Sequence, residues 1–185
     1  MKNMISGFIN IVLVGAFVGT SAYAYAEDID RKELLQIQEQ SQKELVLKQQ
    51  QSHCLALNVY YEARGSTFAD KVAVADVVLN RTMDRRYPPT VCEVVRQGNK
   101  DAAGEMILNQ CQFSWYCDGK DDQPENRDAW EEASLIAWNM IENNRYRGIT
   151  EGATHYHATY VNPSWASSLQ LVGRIGAHIF YRWEK

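Results

Sequence analysis

The chain has 185 residues, 45% of them hydrophobic and 23% charged, with a formal net charge of −4. That length suits one globular domain plus a targeting segment. Basic residues gather only briefly, between Arg81 and Arg86, so nucleic acid is not an expected partner, because phosphate binding needs clustered Lys and Arg.

The N-terminus reads as an export segment. Lys2 supplies a positive start, an apolar stretch runs from Ile5 to Val18, and Ala24-Tyr25-Ala26 fits a small-x-small cleavage site before Glu27. Residues 1–26 are therefore expected to be a signal peptide. The alternatives are an uncleaved signal anchor, or a transient membrane tether of the kind that suits a lysis protein. Each places the domain outside the cytosol, in the periplasm or cell envelope. The four cysteines, Cys54, Cys92, Cys111 and Cys117, agree with such a compartment. Four cysteines allow three pairings. The short interval between Cys111 and Cys117 favours closing a small loop there, which leaves Cys54 for Cys92. No Cys-x-x-Cys pair of the kind common in zinc sites is present.

Residues 27–52 are polar, with Leu34, Leu35, Ile37, Leu45 and Val46 scattered among Gln, Glu and Lys. This thin apolar stripe suits a helical spacer, and a disordered linker is the competing reading. The compact domain is expected over residues 53–185. Leu55, Val59 and Glu62 share one helical face, and Gly65 is placed to end that helix. Residues 72–79 are apolar almost all round, which suggests a central buried helix. Pro88-Pro89 breaks the chain, and Thr90 can cap a short helix over 91–97. Residues 98–125, rich in Gly, Asn, Asp and Gln, read as a long functional loop. A helix is expected over 127–143, with Trp130, Ala133, Ala137 and Met140 or Ile141 inward. Alternation at 155–160 suits a strand, Asn162-Pro163 a turn, and Ile179-Phe180-Tyr181 a closing strand. The fold class is α+β, mainly helical, with a small antiparallel β element.

Glu62 is the most informative residue. A carboxyl on a core-facing stripe resists ionisation, and a general acid needs that property. On pattern alone, a structural ion pair with Arg64 or Arg81 explains the position equally well.

The wider sequence adds a resemblance. The run Leu55-Ala56-Leu57-Asn58-Val59-Tyr60-Tyr61-Glu62-Ala63-Arg64-Gly65, residues 72–81, Gln112-Phe113-Ser114-Trp115-Tyr116-Cys117-Asp118-Gly119, Ala153-Thr154-His155-Tyr156-His157, Val161-Asn162-Pro163-Ser164-Trp165-Ala166 and residues 175–182 appear in family order. Together they closely resemble the cell wall hydrolase family of the spore cortex-lytic (SleB/CwlJ) type. The resemblance implies a lysozyme-like domain that cleaves peptidoglycan glycan strands, with Glu62 as its acid/base. It also implies a reaction like that of a lytic transglycosylase, which one carboxylic acid can run, whereas hydrolysis normally uses a second. Asp70, Asp118, Asp121 and Asp122 are the candidates for that second group.

Sugar-binding candidates are Gln112, Phe113, Ser114 and Trp115, the aromatics for stacking and the polar groups for an N-acetyl group. Core packing is the alternative for Phe113 and Trp115. Tyr156 with His157 is expected to hydrogen-bond around the saccharide. Asn80 and Arg81 suit capping and an internal salt bridge. His155 and His157 would need a third ligand such as His178 to hold zinc, so no metal and no cofactor are expected. The protein is expected to be a monomer with peptidoglycan as its partner. The rival functions are an amidase that cuts between muramic acid and the peptide, and a non-catalytic wall-binding module.

Overall fold

The computed structural model describes the backbone of residues 5–184 and the side chains of residues 31–184. The expected export segment, residues 1–26, therefore lies outside the residues whose side chains are described. Among the described residues no helix is long and apolar enough to cross a membrane. The chain divides into two compact units, Met1–Val46 and Leu47–Lys185. The described part of the first is helical and belongs to helix α1 (Ile5–Ala63). Its Leu34, Leu35 and Ile37 are exposed, as a thin apolar stripe allows, and Glu39 pairs with Lys43 one turn on at 2.7 Å.

The second unit begins with the last turns of α1. Leu55 and Val59 are fully buried there. The helix stops at Ala63, with a tightening bond from Ser66 N to the Ala63 carbonyl at 2.9 Å. Gly65 is not among the glycines with a left-handed backbone, so it follows the helix end as an ordinary turn residue. Helix α2 (Phe68–Thr82) is capped by the Thr67 hydroxyl and is the central buried helix expected from its sequence. One side joins α1, the short α3 (Val91–Val95) and α4 (Arg127–Glu142) in the main core, through Val72, Ala75 and Val78. On the other side, Ala73 and Val77 meet Phe180 and Ala153 of the β region. A buried aliphatic side chain contributes about 1.5–3 kcal/mol, so α2 is the element on which both cores depend.

The first part of residues 98–125, read as a long loop, has regular structure. It forms a hairpin of β1 (Gly98–Lys100) and β2 (Met106–Cys111), then a 3₁₀ turn at Ser114–Cys117. Asp101 ties the hairpin turn by accepting from Ala103 N and Glu105 N, both at 2.9 Å. A Cβ at Gly98 would lie 2.8 Å from Cys111 Sγ, so the bridged cysteine needs glycine opposite. The two disulfides are Cys54–Cys92, joining α1 to α3, and Cys111–Cys117, closing the loop after β2.

The second sheet has the order β3-β5-β4, all antiparallel, from β3 (His155–Ala158), β4 (Gln170–Ile175) and β5 (His178–Arg182). Polar groups of α2 fasten this region. Buried Asp76 accepts from Gly148 N, Thr150 N and Thr150 Oγ1, and pairs with Arg147. Asn80 donates to Thr150 Oγ1 and the Ala153 carbonyl, and Arg81 Nε to the Thr154 carbonyl at 2.8 Å. These bonds deliver the chain into β3 at a fixed place against α2.

Candidate active site

Glu62 sits in the last turn of α1, seven residues beyond Leu55 on its buried face. Its Oε2 accepts a hydrogen bond from the Tyr156 hydroxyl at 3.0 Å. Burial raises the pKa of Glu62 above its usual 4.5. The Tyr156 hydrogen bond, His178 and Arg81 pull the other way but do not reverse the shift. Tyr156 is pushed well above its ordinary value by burial and by the neighbouring Glu62, so its hydroxyl remains a neutral donor.

The ion-pair alternative for Glu62 does not hold among the described residues. Arg64 lies over the Tyr60 ring at 5.0 Å. Arg81 is buried between Tyr87 and Phe113, 5.2 Å from each ring centroid. Its Nη1 has no hydrogen-bond partner. It therefore acts on Glu62 as a nearby positive charge and not as a bonded partner.

The groups that act on Glu62 electrostatically, His178 and Arg81, are both basic, and among the described residues no carboxylate is bonded to it. Two of the candidate second acids are taken up by other partners, and the other two act on Tyr61. Asp70 is fully buried and bonded to Ala177 N and His178 Nδ1, at 3.0 and 2.8 Å. Asp118 bonds Lys120 through its backbone and side chain. Asp121 and Asp122 act on Tyr61.

The other sugar-site candidates separate. Gln112 and Ser114 are exposed. Phe113 is 3% exposed with Arg81 over its ring, and Trp115 is 8% exposed. The Trp115 ring is stacked on Tyr61, centroids 4.9 Å apart, and its Nε1 donates to Asn58 Oδ1 at 3.2 Å. Their burial corrects the expectation of stacking surfaces: both rings belong to the main core. Tyr61, half-buried and next to Glu62, is an aromatic that the sequence reading passed over, although it stands inside the quoted run.

Tyr156 and His157 part company. Successive strand residues point to opposite faces. Tyr156 packs on Phe180 and His178, toward α2 and Glu62. His157 turns to the other face, stacked on Tyr181 and bonded to its hydroxyl at 3.0 Å, with Trp165 beside it. The two residues expected at one saccharide site thus lie on opposite faces of β3. His155 shares that outer face with Trp165 and Trp183. The residues missed from sequence are Asp70 and His178 as a bonded pair, and Asp76 as an anchor. A buried-helix pattern that contains acids was the available signal.

Comparison with known proteins places this geometry in context. The family described as cell wall hydrolase matches residues 65–181, a span that starts just after Glu62. No protein of curated function matches the chain. Two solved structures are similar. The catalytic domain of the germination-specific lytic transglycosylase SleB from Bacillus anthracis is 27% identical, with a TM-score of 0.53, over 71% of this chain and 93% of that one. The catalytic domain of the Bacillus cereus SleB protein is 28% identical, with a TM-score of 0.50, over 72% of this chain and 91% of that one.

Proposed function

The chain belongs to the cell wall hydrolase family, and from that premise we propose that Glu62 alone is the acid/base of a lytic transglycosylase acting on peptidoglycan glycan strands. Cleavage of the wall is what the family's description names, and one of the similar structures is the catalytic domain of a lytic transglycosylase. The observation that carries the finer reading is a largely buried carboxyl held by the Tyr156 hydroxyl at 3.0 Å, with no carboxylate bonded to it among the described residues.

The steps balance on one residue. Protonated Glu62 gives its proton to the glycosidic oxygen between muramic acid and glucosamine as the bond to the muramic C1 breaks. The resulting carboxylate then takes the proton of the muramic C6 hydroxyl as that oxygen bonds to C1 and closes an anhydro ring. Glu62 is protonated again at the end, and no water is consumed. His178 and Arg81 favour the carboxylate formed in mid-cycle, while burial favours the acid at the start. Tyr156 donates to Oε2 throughout, which leaves Oε1 to exchange the proton. Gln112 and Ser114 are retained as polar contacts for the saccharide because they are exposed. Residues 1–26 are read as the export segment, and a periplasmic site of action suits the two disulfides.

Mass spectrometry of digested peptidoglycan tests this reading. Anhydromuramic ends are expected, and Glu62→Gln should abolish them. Reducing ends would instead indicate hydrolysis, and released peptides an amidase. Binding of glycan without any cleavage by the parent protein would indicate a wall-binding module.

A further inference from the structure

Behind Tyr156 lies a buried pair, Asp70 and His178, of which the reaction draws only on the charge of His178 and not on its bond to Asp70. Asp70, in the first turn of α2, is fully buried, and His178, at the start of β5, is 8% exposed. His178 Nδ1 is 2.8 Å from Asp70 Oδ1, and Ala177 N donates to Asp70 Oδ2 at 3.0 Å. The turn between β4 and β5 comes so close that a Cβ on Gly176 would lie 2.7 Å from Asp70 Oδ2. The His178 ring stands edge-on to the Tyr156 ring, centroids 5.1 Å apart and planes at 83°. Tyr156 in turn donates to Glu62. The contacts thus run without a gap from Asp70 through His178 and Tyr156 to Glu62.

Fastening the turn does not account for the imidazole. The Ala177 N–H already ties the turn to Asp70. Burying an Asp–His pair costs desolvation that apolar packing of similar volume avoids. What the histidine adds is a ring whose orientation is fixed by a carboxylate at one end and which bounds the tyrosine at the other. Resting on Glu62 as the acid/base, we propose that Asp70 and His178 are positioning residues: they hold Tyr156 so that its hydroxyl stays on Oε2 of Glu62 and the transferable proton is carried on Oε1.

A double-mutant cycle on soluble glycan strands tests the pair. Asp70→Asn and Tyr156→Phe are each expected to lower kcat about tenfold, the scale of one hydrogen bond to a charged group. KM should stay within about twofold, as expected for an interaction that matters in the transition state. The double variant should be no slower than the slower single, because without the hydroxyl there is nothing left to aim. His178→Asn offers Asp70 an amide N–H near the place of Nδ1 but removes the ring. It should lose kcat to the same degree while its Tm stays close to the parent's, which a purely structural role would not produce. If Asp70→Asn does not fold, His178→Asn takes its place in the cycle.

Losses that multiply in the double variant would overturn the proposal. So would single variants with lowered Tm and parental kcat, or failure of both Asp70→Asn and His178→Asn to fold. Glu62→Gln serves as the control. If it stays active, the assignment of Glu62 fails; if it is inactive and the cycle is additive, only the positioning role fails.

Discussion

Strand β3 carries two chemistries on its four residues. The inner face gives Tyr156 to Glu62, at the junction of the two cores. The outer face gives His155 and His157 to a cluster with Trp165, Tyr181 and Trp183. Neighbours in sequence therefore differ in kind. The inner residue joins a carboxyl whose protonation is tuned, whereas the outer ones are held by ring contacts and one tyrosine hydroxyl. Proximity along the chain says little about sharing a site when the pleat reverses direction at every residue.

The contrast makes inner-face changes cost activity and outer-face changes cost stability. The largest effect is expected at Glu62. Glu62→Gln should lower glycan cleavage by at least ~100-fold, the minimum usual for a lost general acid. Its stability effect has the opposite sign. Because the folded pKa is raised, the contribution of Glu62 to stability is full below its unfolded pKa and is lost as pH rises through the folded one. Near neutral pH the variant should therefore melt no lower than the parent, and calorimetry would check it. Tyr156→Phe comes next. Removing a donor to the carboxylate raises the Glu62 pKa further, so the basic limb of the pH–rate profile should move upward while kcat falls. A limb that moves down would contradict the donor role. On the other face, Trp165→Ala removes ring contacts to His155, His157 and Tyr181. It should cost about 2 kcal/mol and leave kcat unchanged at temperatures where the variant is folded.

How much of this was legible in the sequence depended on local period. The burial of α2 was readable because apolar residues cover it nearly all round, and α4 because Trp130, Ala133, Ala137 and Met140 keep helical spacing. The place of Glu62 on the buried face of α1 was readable from the stripe it shares with Leu55 and Val59. The β1–β2 hairpin and β4 were not. Met106–Cys111 and Gln170–Ile175 are largely exposed and interrupted by a register shift on one side or the other, so no clean alternation marks them. The burial of Phe113 and Trp115 was hidden for another reason. They stand in a polar stretch, and only the Cys111–Cys117 bridge and the arrival of Arg81, Asn58 and Tyr61 from distant helices turn them inward. Asp70 and His178 lie 108 positions apart, a pairing with no local trace.

The smallest expected effect is the one that most cleanly isolates the outer face. His155 is half-buried, and burial first, then the charges of Arg81 and Arg86, push its pKa down to about 4 from 6.5. A base whose folded pKa is depressed takes up protons more readily when unfolded. Stability should therefore fall as pH drops below about 6.5 and stop falling near 4. His155→Gln removes that titration, so its Tm should change less with pH across this window than the parent's. The inner face partly offsets this loss, because Glu62 with its raised pKa gains protons in the folded state over an overlapping range and acts in the opposite direction. Glu62→Gln should accordingly steepen the acid-side loss that His155→Gln flattens. Equal slopes in the two variants would mean that the two faces of β3 titrate as one site, and the separation drawn between them would fail.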